Sequence, residues 1–183
     1  MAKVLFYFAP GLEECEGLIA VDLLRRAKIE VTIASITDDL MVSGSHNIAV
    51  RCEALASEVD ASAYDALVLP GGGRGTENLY ESALVRDTVA AFAAAGKLVC
   101  AICAAPSVPG RMGLLQGKKA TCYPGFEGKL LGAQYVAVEA VKDDNFITAS
   151  GLGAAIPFAL EIIAYLEGPD ITEKRRRSIV YRH

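Results

Sequence analysis

Histidine is nearly missing from this chain: His46 and His183 are the only two in 183 residues. A structural zinc site takes about four ligands of the Cys/His type. With so few histidines and no second C-x-x-C, no metal is expected. Long apolar runs are missing as well. None approaches the ~20 residues of a membrane helix, so no membrane association is expected. The opening MAKVLFYFAPGLEE has one lysine and a short apolar run cut by Pro10 and Gly11, too little for an export signal. Basic excess is absent too. The net charge is −4, and phosphate backbones need a basic surface, so no nucleic-acid partner is expected. The five cysteines are an odd number in a chain with no sign of export, which predicts free thiols in a reducing cytosol and a cytoplasmic protein.

What is present fits one well-packed domain spanning residues 1–183. Half the residues are apolar, and a chain this long buries roughly 70% of its unfolded surface without staples. Short apolar runs alternate with helical stretches. Strands are predicted at 3–9, 30–36, 66–70, 97–102, 118–123, 133–141 and 145–150. A helix is predicted over 13–27, with an apolar stripe at positions 15, 18, 19, 23 and 24. Others are predicted at 82–95 with Gly96 as its stop, at 104–112, at 154–167 with Pro157 in the first turn, and after a capping Asp170. Residues 41–52 read as a hairpin or irregular excursion, and 71–75 as a glycine loop. This β-α-β alternation predicts a mainly parallel sheet with helices on both faces, its ligands outside the carboxyl ends of the strands.

One stretch, KLVCAICAAPS at 97–107, holds two cysteines three apart. A thioredoxin-like pair puts both at a helix N-terminus, whereas Cys100 falls inside an apolar strand. A nucleophile elbow fits better: a strand ends, small residues at 101, 104 and 105 allow a sharp turn, and a helix follows. Cys103 would then lie where a helix dipole and free N–H groups lower a thiol pKa. The competing reading is a small buried hydrophobe, and spacing alone leaves both open. No G-x-x-x-x-G-K-[ST] is present and no G-x-G-x-x-G opens the first helix, so no nucleotide cofactor is expected.

Four motifs in order, GLEECEGLIAVDLLRRA (11–27), YDALVLPGGG (64–73), AICAAPS (101–107) and TASGLGAAIPFAL (148–160), resemble the ThiJ/PfpI superfamily, in its Parkinsonism-associated deglycase branch. The resemblance runs nearly end to end. It implies a flavodoxin-like three-layer α/β sandwich, related to class I glutamine amidotransferases, and a homodimer. It implies that Cys103 is an oxidation-prone nucleophile and that Glu16 is a protonated carboxyl donating to its thiolate. It also implies that the Gly72 and Ala104 N–H groups are the oxyanion donors, with Gly71, Gly73, Tyr123 and Ser150 lining the substrate site. Burial beside a thiolate should raise the Glu16 pKa. Glu13 and Glu14 are expected to be solvated helix-start charges, Cys15 and Cys122 packed thiols, and the basic run 174–177 a solvated face.

Two positions depart from the family pattern. Many members have a histidine where Tyr123 stands, and neither His46 nor His183 is expected to complete a Cys–His pair, which disfavours protease or amidotransferase chemistry. The branch pattern places an arginine where Ser150 stands. The resemblance then implies glyoxalase- or deglycase-type lyase or hydrolase chemistry on 2-oxoaldehydes such as methylglyoxal, or on glycated protein. The alternatives are a redox sensor or holdase chaperone with little turnover, and a thiamine-pathway enzyme acting on a thiazole phosphate, for which the sequence shows no phosphate pocket.

Overall fold

The computed structural model describes residues 1–182, so His183 lies outside it. A seven-stranded sheet forms the middle layer. Its strands are β1 (Lys3–Phe8), β2 (Glu30–Ser35), β5 (Ala54–Leu55), β6 (Ala66–Leu69), β7 (Leu98–Ile102), β10 (Ala140–Asp143) and β11 (Phe146–Ala149). They run in the order β10-β11-β7-β6-β1-β2-β5, and only β10 is antiparallel to its neighbour. Two small pairs lie outside it: β3 (Met41–Ser43) with β4 (Ala49–Arg51), and β8 (Lys119–Ala120) with β9 (Gln134–Tyr135).

Strand alternation divides the core. Val4, Phe6, Phe8, Val68, Cys100 and Ile102 pack under α1 (Glu14–Arg26) and α5 (Ala155–Glu167). Leu5, Tyr7, Leu67, Leu69 and Val99 pack under α2 (Gly73–Glu81), α3 (Ala83–Ala94) and α4 (Ser107–Arg111). Both faces are covered, which is why β1, β6 and β7 read as unbroken apolar runs. This is the expected flavodoxin-like sandwich. Cys100 is wholly buried in the first layer and unpaired, so it packs as a hydrophobe and forms no redox couple. No helix among the described residues is long and apolar enough to cross a membrane.

Several details differ from expectation. The glycine loop is shorter, because α2 already begins at Gly73. Its low-propensity composition hides it, yet a Cβ on Gly75 would come within 2.7 Å of the Leu12 backbone. The glycine serves close approach, and packing overrides propensity. The elbow helix is confined to Ser107–Arg111, and the strand expected over 133–141 is divided between β9 and β10 by a turn in which the Val138 N–H meets the Val136 carbonyl. Strand 118–123 shrinks to Lys119–Ala120. The last helix, α6 (Pro169–Ser178), is capped by Gly168 with Pro169 at its first position, so Asp170 lies in the first turn and is not the cap. Of the basic run on α6, Lys174 and Arg177 are exposed as expected, whereas Arg175 and Arg176 are half-buried; Arg176 and Arg177 pair with Glu173, Arg177 at 2.8 Å.

Helix α1 shows the largest correction. Its sheet-facing residues are Glu16, Gly17, Ala20, Val21 and Leu24, whereas Cys15 and Leu18 of the expected stripe are exposed. The helix is apolar on two sides. The outer side, with Ile19, Ile156 and Ile179, lines a cavity of about 510 Å³, so Cys15 is not a packed thiol. Cys122 is buried as expected, and Cys52 is buried in the α1/α5 layer.

Candidate active site

The chain moves from β1 to β2 on one side and later from β6 to β7 on the other, so the sheet reverses between β1 and β6. Ligands favour the crevice at the strand carboxyl ends of such a point. Three segments meet there: 10–16 after β1, 70–72 after β6 and 103–104 after β7.

Cys103 follows β7 directly and has φ +66°. A left-handed backbone at a residue with a Cβ costs about 1–2 kcal/mol. It persists because neighbours fix both sides of the residue: its N–H donates to the Ala149 carbonyl at 2.8 Å, and its carbonyl accepts from the Tyr123 N–H at 2.7 Å. This is the strained turn of a nucleophile elbow. The Gly72 and Ala104 N–H groups both donate to the thiol, and Glu16 hydrogen-bonds it from the first turn of α1.

Glu16 is buried, and its Oε2 accepts from the Gly71 N–H at 3.0 Å. Burial pushes its carboxyl up to about 7, overriding the bonds from Cys103 and Gly71. The expected lowering of the thiol is not found. α4 begins four residues beyond Cys103, too far for its dipole to act, and burial with the nearby Glu16 charge pushes the thiol up to about 12. The two groups titrate as a pair. When the proton sits on Glu16 its charge is gone and its O–H becomes a donor to sulfur, so three donors converge on a thiolate.

Glycine at 71 is a steric requirement. A Cβ there would lie 2.5 Å from that of Cys103 and would overlap Glu16 Oε2. Gly72 has φ +90°, and a Cβ there would come within 2.6 Å of the Glu13 nitrogen. Gly73 is exposed at the start of α2 with open space around it, on the rim of the site. Tyr123 adjoins Cys103 through its own N–H bond to the Cys103 carbonyl, and Ser150 directly follows Ala149, the acceptor of the Cys103 N–H. Both line a cavity of about 410 Å³ with Glu139, Gly151 and Leu152. The Tyr123 ring is half-exposed and stands edge-on to Phe126, forming an aromatic wall. Two larger cavities, about 510 and 450 Å³, open on other faces and include neither Cys103 nor Glu16. Strain and donor geometry, not cavity size, locate the site.

Glu13 and Glu14 are not simply solvated. Glu13 caps α1, its Oε2 accepting from the Glu16 N–H at 2.6 Å, and its own N–H donates to the Gly71 carbonyl. Glu14 is buried beneath the β3–β4 hairpin. It accepts from the His46 backbone N–H at 2.7 Å and meets His46 Nδ1 at 2.9 Å. These bonds hold its carboxyl down at about 2, despite burial, and raise the His46 imidazole. Glu13, Glu14 and His46 bring ligand-type atoms within 4.8 Å of one another. The bonds to Glu14 make this an ion-pair clasp, with His46 turned to Glu14 and not to Cys103. Sequence reasoning missed it, although an acidic pair opposite the turn Gly44-Ser45-His46-Asn47 was the available signal.

The clasp has a pH signature. The raised histidine contributes stability fully below the 6.5 of a free imidazole and loses it as pH rises through its folded value. The lowered glutamate contributes above 4.5 and loses it as pH falls toward 2. His46→Ala is therefore expected to destabilise most between these two free values. The difference in urea midpoint from the parent protein should fade in alkaline buffer.

A parallel sandwich with a strained cysteine at a strand end, a buried carboxyl against its sulfur and paired backbone donors defines the cysteine-elbow class of flavodoxin-like proteins. Within that class, residues 2–165 match the model of the DJ-1/PfpI family, and the chain belongs to that family. Protein dj-1beta of Drosophila melanogaster is 37% identical over 97% of this chain and 96% of its own length. Deglycase PH1704 of Pyrococcus horikoshii is 32% identical over 80% of this chain and 89% of its own. The structure of oxidized DJ-1 from Toxoplasma gondii superposes with a TM-score of 0.96 at 34% identity, covering both chains completely.

Proposed function

We propose that this protein is a cysteine-dependent enzyme of the glyoxalase/deglycase type, acting on 2-oxoaldehydes such as methylglyoxal or on their adducts with protein. The observation that carries this reading is Cys103 held at φ +66° against buried Glu16 and the Gly72 and Ala104 N–H groups. The thiolate adds to the aldehyde carbon, forming a C–S bond and a hemithioacetal oxygen held by the two N–H groups. Protonated Glu16 gives its proton to that oxygen as the C–S bond forms. The carboxylate so produced then removes the proton from the same carbon and returns it to the neighbouring ketone carbon, while the hydroxyl proton passes to the ketone oxygen. The first carbon is oxidised to a thioester while the second is reduced to an alcohol, so no external oxidant is needed. Water then cleaves the C–S bond, releases lactate and restores the thiol. A carboxyl titrating near neutrality suits both proton steps, and no histidine is required. The deglycase name of the Pyrococcus relative supports this chemistry.

A redox-sensing role is the second reading. The three donors around sulfur would also hold the oxygens of a sulfinate, and the Toxoplasma relative was observed oxidised. The apolar outer face of α1 supports a homodimer, with a second copy covering Leu18, Ile19, Ile156 and Ile179. We place the protein in the cytoplasm on its unpaired cysteines.

The test is methylglyoxal consumption by fully reduced protein, with chiral detection of lactate. One enantiomer is expected, because proton return occurs on one face within the site. Reduced protein that consumes no methylglyoxal, yet oxidises readily at Cys103, would overturn the enzyme in favour of the sensor.

A further inference from the structure

We propose that Arg111 is a positioning residue for the two backbone donors, its forked bond to Glu77 fixing α4 against α2. Each donor belongs to the entrance of one of these helices. Gly72 is the N-cap of α2, and Ala104 lies in the turn that leads into α4. The distance between their N–H groups thus depends on how the helices are set against each other.

The clamp is specific. Arg111 Nη1 donates to Glu77 Oε2 at 2.9 Å and Nη2 to Oε1 at 3.2 Å. Its guanidinium lies 3.7 Å from the centre of the Tyr80 ring, also on α2, while Nε reaches back to the Ser107 carbonyl at the start of α4. Lys129 adds a second cation to Glu77 at 3.2 Å. One guanidinium therefore joins both ends of α4 to α2. The need is plain, because α4 has five residues and a helix that short has little stability of its own. The nearby hydroxyls do not do this work: Thr76 Oγ1 and Ser107 Oγ are buried without hydrogen-bond partners. Among the described residues, the Arg111–Glu77 fork supplies the side-chain hydrogen bonds between α2 and α4. A partly exposed ion pair contributes little to stability, so its effect should appear in geometry.

This inference rests on Gly72 and Ala104 serving as the oxyanion donors of the proposed reaction, but its measurement needs no aldehyde. The thiolate of Cys103 is titrated by ultraviolet absorbance and by iodoacetamide alkylation, each corrected with Cys103→Ser in the same background. Arg111→Lys keeps the charge and loses the fork; Arg111→Met loses both. In either variant, alkylation at neutral pH is expected to slow roughly fivefold, the factor set by weakening one hydrogen bond, and the thiolate titration to move to higher pH. Turnover, where present, should lose kcat with KM retained. Lys118→Met, which breaks the Lys118–Asp144 pair elsewhere, should leave the titration unmoved. If Arg111→Met does not fold, Arg111→Lys decides. A parental titration in folded Arg111→Lys overturns the proposal, even if its melting temperature falls. Absent turnover with a moved titration removes the aldehyde reading and leaves this one standing.

Discussion

Gly71→Ala is expected to leave the protein as inert toward methylglyoxal as Cys103→Ser does. Gly71 has an ordinary backbone conformation, so alanine fits the chain itself. What it does not fit is the site, where the new methyl would sit 2.5 Å from the Cys103 Cβ and overlap the Glu16 carboxyl. The elbow is fixed by its bonds to Ala149 and Tyr123, so Glu16 and the 71–72 loop must give way. The proton shuttle and the Gly72 donor are displaced together. Loss of one such donor costs about 10²–10³ in rate, and losing both contacts should exceed that. The control is Gly128→Ala, exposed in the turn Glu127–Lys129, whose methyl enters open space and should leave turnover unchanged. Comparing kcat/KM for the two proteins, with circular dichroism to confirm folding, checks the claim. Equal activity in both would mean the loop yields without cost.

Glu16→Gln should change the pH dependence of two properties. In the parent protein, Cys103 reactivity is expected to climb through about pH 7 as the buried pair loses its first proton. It should then level off until the second leaves at about 12. Glutamine carries no titrating proton, so the first step should vanish. Aldehyde turnover should fall by about 10²–10⁴, the usual contribution of a positioned acid–base group. Stability moves the other way. The folded carboxyl holds its proton more tightly than the unfolded one, so its favourable contribution is complete below 4.5 and is lost as pH rises through about 7. Above neutrality the parent carries a buried charge that the Glu16→Gln protein lacks. The variant should then be the more stable by up to about 3 kcal/mol, from 1.36 kcal/mol per pH unit. Urea unfolding of both proteins at acidic and alkaline pH measures the crossover.

Much of this was legible in the chain. Strands buried on both faces read as apolar runs, and A-I-C-A-A marked the elbow because only small residues allow that turn. α2 was hidden by Gly75, a residue chosen for contact with Leu12 and against helical propensity. Periodicity misassigned α1, since a helix apolar on two sides has no single stripe, and Leu18 and Cys15 turned out to face away from the sheet. Nothing in E-E-C-E separated three nearby glutamates by local pattern. The family resemblance singled out Glu16, but the clasp of Glu14 by His46 depends on a hairpin some thirty residues away. The fork between Glu77 and Arg111 escaped for the same reason.

The bonds that define Cys103 come from far along the chain. Glu16, Gly72, Tyr123 and Ala149 all act on one residue, and the last of these is contributed by β11, near the far end of the sheet-forming sequence. Contacts so distant require the loops between them to close, at an entropic cost that grows with loop length. During synthesis the two bonds that fix the left-handed turn, to Tyr123 and Ala149, cannot form until those residues have been added. The elbow is complete only with β11 in place, so the reactivity of this one sulfur is expected to report on completion of the fold.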